Sequence, residues 1–252
     1  MLLLAFACGA CDSMRPESAS TVITLLVAYT PDVSDAAGDL PLVVDRTLQQ
    51  TNRVFETDDI PIRLGLAHLA EVEYVTTERL QDLERLIRNG DGHLDALHAL
   101  RDSHEADVGI LLVDDRSLTV NGAVLAEETT AFAVIFWETI GAPDYALAHE
   151  LGHLMGARHS PDADPLTEPF PYGHGFRNDS IKTIMSTGRL EVVPHFSSPD
   201  LTLGGATLGD SSQRDVRRVL RETAVYISNF RGRTTPTDFV PPGTWPTVPP
   251  GL

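Results

Sequence analysis

Three histidines and a glutamate lie within one short run of the sequence, His-Glu-Leu-Gly-His-Leu-Met-Gly-Ala-Arg-His from 149 to 159. His149 and His153 are four residues apart, so on a helix both imidazoles project from one face and can bind the same zinc ion. Glu150 would lie beside that ion without being a ligand, where it can polarise water. The run therefore predicts a zinc site on a helix.

The end of the run supplies a third ligand. Gly156 allows a backbone conformation that a residue with a Cβ resists, so the chain can leave the helix sharply. Such a turn would return His159 to the metal. Three neutral imidazoles leave the fourth tetrahedral position open for water or substrate, which is the arrangement of a catalytic zinc.

The size and charge of the chain limit what else it could be. Its 252 residues can form one large domain with a substantial core. The formal net charge of −17 argues against binding nucleic acid or an anionic membrane surface, because both reward clustered Lys and Arg.

The first eleven residues form an apolar run that ends in small residues, Gly9-Ala10-Cys11. This run is too short to span a bilayer and is typical of the end of an export signal. We therefore expect an exported protein that is secreted, periplasmic or anchored at the cell envelope through a lipid on Cys11. Both cysteines of the chain, Cys8 and Cys11, lie in this run, so we expect no disulfide in the folded domain.

Hydrophobic periodicity predicts alternating strands and helices before the zinc run. The predicted strands are 21–29, 62–75, 108–113, 122–126 and 131–137, and the predicted helices are 42–55, 78–88, 94–104 and a last one at 212–230. Such alternation favours an α/β layer with a mostly parallel sheet. Residues 234–252 are rich in Pro and Thr, which predicts a flexible tail.

The extended histidine run resembles that of the metzincin clan of zinc endopeptidases. A candidate for the Met-containing turn of that clan, Thr183-Ile184-Met185-Ser186-Thr187, follows His159 by 26 residues. The segments Ala131–Val134, Tyr172–Phe176 and Phe196–Asp200 are similar to those of the bacterial peptidyl-Asp metallopeptidases, which are reprolysin-like members of the clan. This resemblance covers roughly residues 20–231.

The resemblance implies an α/β (α+β) catalytic domain with a mixed, mostly parallel five-stranded sheet, an active-site helix and an irregular C-terminal subdomain. The leader and spacer would occupy 1–19, the upper subdomain 20–158, the lower subdomain 159–231 and the tail 232–252. Met185 would pack beneath the imidazoles in the Met-turn and would not bind the metal.

The same resemblance implies hydrolysis of peptide bonds by a zinc-activated water with Glu150 as general base, and cleavage before Asp. An edge strand made of Gly122, Ala123, Val124, Leu125 and Ala126 would bind extended peptide. Lys182 or Arg189 would supply the charge of a pocket for Asp, with Arg177 as a more distant option. Two positions depart from the family pattern, because Ser160 stands where many relatives have Asp and Thr187 where they often have Tyr.

Several alternatives stay open at this stage. An exported zinc-containing binding or adhesion protein with little peptidase activity is the second hypothesis, and the presence of Glu150 argues against it. Asp162 and Asp164 could chelate Ca²⁺, although a solvated acidic loop is the preferred interpretation. The histidines outside the run are interpreted as structural: His68, His93, His98, His104, His174 and His195.

Overall fold

The computed structural model describes residues 20–77, 79–115, 122–123 and 127–231. The apolar leader with Cys8 and Cys11, the segment Val124–Ala126 and the Pro/Thr-rich tail lie outside the described residues. No helix in the described ranges is both long enough and apolar enough to cross a membrane.

A five-stranded sheet forms the centre of the fold. Its strands are β1 (Thr21–Tyr29), β2 (Ile62–Glu71), β3 (Val108–Val113), β4 (Gly122–Ala123) and β5 (Phe132–Phe136). They are ordered β2-β1-β3-β5-β4, and every pairing is parallel except that of β4 with β5. The prediction of a mostly parallel sheet is therefore confirmed.

In the described residues, the α-helices that flank this sheet are α1 (Pro31–Ala37), α2 (Leu40–Thr57), α3 (Arg79–Ile87), α4 (Asp95–Ser103), α5 (Ala146–Leu154) and α6 (Val216–Ile227). Successive residues of a strand point to opposite faces, and here each face has its own core. On β3, Ile110 and Leu112 pack in the core formed with α2, α5 and α6, whereas Leu111 and Val113 pack in the core formed with α3 and α4. Burial on both faces explains why β1 and β3 are continuous apolar runs.

Several predictions of elements and their boundaries are wrong, and two of the differences have a local cause. Helix α1 was not predicted after the first strand, and it begins at Pro31, because the fixed φ of proline suits the first turn of a helix. The second strand ends at Glu71, before the predicted residue 75. The last helix begins at Val216, after the predicted residue 212, because Asp210 accepts hydrogen bonds from the backbone of Ser212 and Gln213 and holds a turn there.

The chain after α5 is mostly irregular, with four very short strands. β6 (Ile181–Lys182) pairs in parallel with β7 (Glu191–Val192), and β8 (Thr202–Leu203) forms a small hairpin with β9 (Ala206–Thr207). This C-terminal part packs against the rest through α6, whose buried side chains join the core beneath β1 and α5. Ile184 and Met185 of this part also contact α5 directly.

Candidate metal centre

Helix α5 presents the first two histidines at the surface of the core. Leu147, Leu151 and Leu154 are buried in the core beneath the sheet, whereas His149 and His153 are only half-buried. Glu150, the residue after His149, is 1% exposed. The spacing of the run thus anchors the helix by its leucines and leaves both imidazoles on a more open face.

Gly156 makes the turn that follows α5. Its φ is +96°, a left-handed conformation that favours glycine, and a Cβ there would lie 2.8 Å from the Phe170 ring. The amide of Ala157 donates to the Gly152 carbonyl at 2.8 Å, which closes the helix end. The turn brings His159 back to α5, as the sequence predicts.

The three imidazoles converge on one point. Their Nε2 atoms are 3.0 Å apart for His153 and His159, 3.1 Å for His153 and His149, and 3.2 Å for His149 and His159. Three nitrogens held at about 2.0–2.1 Å from one zinc ion at tetrahedral angles would lie about 3.3–3.4 Å apart. The donor set therefore fits a zinc ion, and it is the one group of three or more candidate ligands among the described residues.

Backbone carbonyls hold two of these rings. His149 Nδ1 donates to the carbonyl of Ile184 at 2.6 Å, and His153 Nδ1 donates to that of Ala157 at 3.0 Å. Because a carbonyl only accepts, each Nδ1 carries the proton, and Nε2 keeps the lone pair that a metal needs.

The electrostatics favour the neutral imidazoles that bind metal. Burial and, to a smaller extent, the neighbouring His159 lower the pKa of His149 to about 4. Burial also lowers the pKa of His153, well below its usual value, and that of His159. At neutral pH no proton has to leave these rings before a cation binds.

Met185 lies directly against α5. It is 0% exposed, and a Cβ added to Gly152 would be 2.3 Å from its Sδ. Gly152 lies between the first two histidines in sequence, so the methionine packs against α5 within that stretch. Its neighbour Ile184 provides the carbonyl that binds His149.

The acidic residues considered for calcium are engaged by arginines. Asp164 pairs with Arg158 at 2.8 Å, and Asp162 pairs with Arg177. These contacts account for both carboxylates within the loop and give no support to a calcium site. They also engage Arg177, the most distant of the proposed specificity residues.

The other two cations proposed for specificity differ in their surroundings. Lys182 is partly buried, and its Nζ donates to the carbonyl of Gly188 at 2.7 Å. Its positive charge disfavours protonation of both His149 and His159 and contributes to lowering the pKa of each. Arg189 is exposed.

The predicted substrate strand is described only in part. Gly122 and Ala123 form β4 at the edge of the sheet, opposite Val134 and Ala133 of β5. Val124, Leu125 and Ala126 lie outside the described residues.

Three residues near the centre were not assigned a role from the sequence. His174 Nδ1 donates to the carbonyl of His159 at 2.7 Å, and His195 Nδ1 lies 2.6 Å from Oδ1 of Asp58. Both histidines are hydrogen-bonded, as expected of structural residues, and the partner of His174 is the carbonyl of the candidate ligand His159 itself. No sequence signal could pair Asp58 with His195, because 137 residues separate them.

The remaining histidines lie away from the centre. His98 binds the carbonyl of Leu86 at 2.9 Å, the rings of His68 and His104 stack 3.7 Å apart, and His93 is exposed.

Comparison with known proteins places this geometry in a family. The reprolysin profile described as metallo-peptidase family M12 matches residues 19–197. A solved structure titled "Structure of a chaperone-substrate complex" shares the fold, with a TM-score of 0.69 and 18% identity over 85% of this chain and 36% of that one.

Two bacterial relatives are similar along most of the chain. A peptidyl-Asp metalloendopeptidase of Xanthomonas campestris pv. campestris is 32% identical over 85% of this chain and 52% of its own length. One of Stenotrophomonas maltophilia is 31% identical over 84% of this chain and 53% of its own length. The chain thus spans about half the length of the curated relatives it matches. The match of the profile to residues 19–197, which include the three converging histidines, shows that the chain belongs to metallo-peptidase family M12.

Proposed function

We propose that this chain is a zinc-dependent endopeptidase. The observation that carries the proposal is the convergence of three Nε2 atoms within 3.2 Å, on a helix that also carries the buried Glu150. A zinc ion held by His149, His153 and His159 would supply Lewis-acid activation of water and polarisation of the scissile carbonyl.

Glu150 is proposed as the proton carrier of such a reaction, because it follows His149 directly on the same helix. Its carboxylate accepts a proton from the attacking water and passes it to the leaving amine as the peptide bond breaks. The carbonyls of Ile184 and Ala157 keep two imidazoles oriented meanwhile, so the ligands need not reorganise.

Met185 is proposed as the methionine of the Met-turn. Its contact with Gly152 and the bond from His149 to the Ile184 carbonyl support this assignment. In this role the side chain is a packing base for α5, and it does not bind the metal.

Peptide substrates are proposed to bind along β4. A free sheet edge offers main-chain hydrogen bonds to an extended peptide whatever its sequence. Proline in place of Val124 or Leu125 should therefore raise KM while leaving zinc content unchanged, because it removes a backbone donor. An unchanged KM for both variants would contradict this binding mode.

A preference for Asp after the cleaved bond is proposed to depend on Lys182. The relatives are named peptidyl-Asp metalloendopeptidases, and Lys182 is a partly buried cation whose charge acts on two of the zinc ligands. Profiling of cleavage sites in a denatured proteome should show Asp enrichment that Lys182→Met abolishes. If Arg189→Met abolishes it instead, the exposed arginine is the determinant.

Casein digestion with and without a chelator tests the proposed activity. Digestion should stop when zinc is removed and return when zinc is restored. Glu150→Gln should keep zinc but lose about 10²–10⁴-fold in turnover, because the general base is gone. No digestion by the zinc-loaded wild type would favour the second hypothesis, a zinc-containing binding or adhesion protein.

A further inference from the structure

A buried carboxylate lies at the end of α2, far from the histidine run in sequence. Asp58 is the C-cap residue of that helix and is 0% exposed. It accepts hydrogen bonds from His195 Nδ1 at 2.6 Å and from the backbone amide of Phe196 at 2.7 Å. An isolated buried carboxylate is costly, so these two donors are what make its position tolerable.

The two donors belong to His195–Ser197 in the C-terminal part. We call these three residues the anchor segment. Asp58 holds its first two residues, and the Phe196 ring stacks on Phe55 of α2 with a centroid distance of 5.9 Å. Burial raises the pKa of Asp58, and the hydrogen bonds from the anchor segment act in the opposite direction. The segment is thus fixed to α2 by one polar and one aromatic contact.

One end of the anchor segment leads to the first zinc ligand. The carbonyl of His195 accepts from the amide of Ile184 at 3.0 Å. The carbonyl of that same Ile184 accepts from His149 Nδ1 at 2.6 Å. Asp58 therefore connects to the ring of His149 through two residues.

The other end leads to the third ligand. Ser197 Oγ donates to the carbonyl of His174 at 2.6 Å, and His174 Nδ1 donates to the carbonyl of His159 at 2.7 Å. Ser197 Oγ also accepts from the amide of Val216 at 3.1 Å, which ties the segment to the start of α6. Two of the three ligands are thus supported from one segment that a single carboxylate holds.

We propose that Asp58 and His195 are positioning residues, which tune zinc affinity by holding the anchor segment that orients His149 and His159. Neither residue belongs to the group of three converging candidate ligands in the described chain. Outer partners of metal-binding histidines commonly alter metal affinity or activity by about 10–100-fold when they are removed. The inference rests on the proposed zinc site, but it does not depend on peptidase activity.

The test measures zinc affinity by competition with a chromophoric chelator, at a temperature where circular dichroism shows every variant to be folded. His195→Leu removes the donor to Asp58 and should raise the zinc dissociation constant about 10–100-fold. His195→Asn keeps an N–H donor near the position of Nδ1 and should restore most of the affinity.

A matched control separates positioning from general loss of stability. Thr24 is buried, and its Oγ1 donates to Asp107 at 2.8 Å across 83 residues. Its side-chain hydrogen bonds in the described chain are to Asp107 and Glu105, which belong neither to the metal centre nor to the anchor segment. Thr24→Val should lower the unfolding temperature but leave zinc affinity unchanged.

Two outcomes would overturn the proposal: zinc affinity of His195→Leu equal to that of the wild type, or an equal loss in Thr24→Val. If His195→Leu does not fold, Asp58→Asn takes its place, because it keeps the side-chain volume and one acceptor. Its zinc affinity should fall about tenfold, and an unchanged value would equally refute the role. Because the readout is metal binding, a chain without peptidase activity can still confirm or refute it.

Discussion

At the scale of single residues, the metal centre depends on which nitrogen of each histidine is free. The Ile184 and Ala157 carbonyls fix the proton of two rings on Nδ1, and burial keeps all three rings neutral. Binding a cation therefore requires neither proton release nor a ring flip at neutral pH. The imidazoles are thus preorganised for metal binding.

Removal of the third ligand should test the three-histidine site directly. His159→Ala leaves two ligands on α5, and two imidazoles bind zinc far more weakly than three. Zinc content after equilibrium dialysis should fall well below one ion per chain. His98→Ala is the control, because His98 is a buried histidine that binds the Leu86 carbonyl instead. Unchanged zinc affinity in His159→Ala would contradict the assignment.

The three candidate ligands could be predicted from the sequence because they lie within one helix and the turn that follows it. The i, i+4 spacing and Gly156 predict the convergence of His149, His153 and His159, and the structure reproduces it. The contacts of Asp58, His174 and His195 could not be predicted in that way. Their partners are defined by tertiary contacts, and no periodicity relates residues that meet only after folding.

At the scale of elements, Gly152 shows packing prevailing over helix propensity. Alanine normally stabilises a helix interior by about 0.5–1 kcal/mol relative to glycine. Here a Cβ would lie 2.3 Å from the Sδ of Met185, which is completely buried. Overpacking of this kind costs about 1–3 kcal/mol, so the clash outweighs the propensity.

Gly152→Ala should therefore destabilise the protein by about 1–2 kcal/mol in urea unfolding. In a Met185→Ala background the same change should be neutral or stabilising, because the clashing side chain is absent. A double-mutant cycle measures this coupling. Equal effects of Gly152→Ala in both backgrounds would show that α5 and Met185 do not constrain each other.

The turn before α6 gives a prediction for pH. Burial raises the pKa of Asp210, but hydrogen bonds from Ser212, Arg214 and the backbone prevail and lower it to about 2. A carboxyl with a lowered folded-state pKa contributes stability above its unfolded pKa of about 3.9, and loses it as pH falls towards 2.

Asp210→Asn should consequently lower the urea midpoint at pH 6, and the difference from the wild type should shrink as the pH falls from 4 towards 3. The exposed Asp179→Asn serves as the control and should show no such trend. If the difference in urea midpoint between the wild type and Asp210→Asn grew on acidification, it would contradict a lowered pKa of Asp210 in the folded state.

Elements were predicted best where both faces of a strand are buried. β1 and β3 match their predicted bounds, because continuous β-branched and aliphatic runs have few other folded environments. The short strands after α5 were missed, since two-residue pairings such as β6 with β7 leave no periodic pattern. Helix α1 was missed because Pro31 is compatible with both a strand end and a helix start.

At the scale of the whole molecule, the net negative charge destabilises the compact folded state. The excess acidic side chains that give the net charge of −17 repel one another in the folded state, and salt screens that repulsion. The unfolding temperature at pH 7 should therefore rise between about 20 mM and about 500 mM NaCl, over which the screening length falls several-fold.

Reversal of two exposed acidic residues provides the control. Glu56→Lys with Glu73→Lys lowers the net negative charge by four units at positions that are exposed. The salt dependence of the unfolding temperature should become shallower in this double variant. An unfolding temperature that falls with salt would mean that attractive ion pairs dominate instead.

The anchor segment also has a consequence for the order of events in protein synthesis. His149, His153 and His159 all leave the ribosome before His195 and Phe196, which Asp58 holds. A growing chain therefore carries every ligand for some time without the contacts that orient two of them. Under the proposed function, tight zinc binding and the peptidase activity that needs it would arise only when almost the entire domain has been translated, so a partly synthesised copy would not cleave the nascent chains around it.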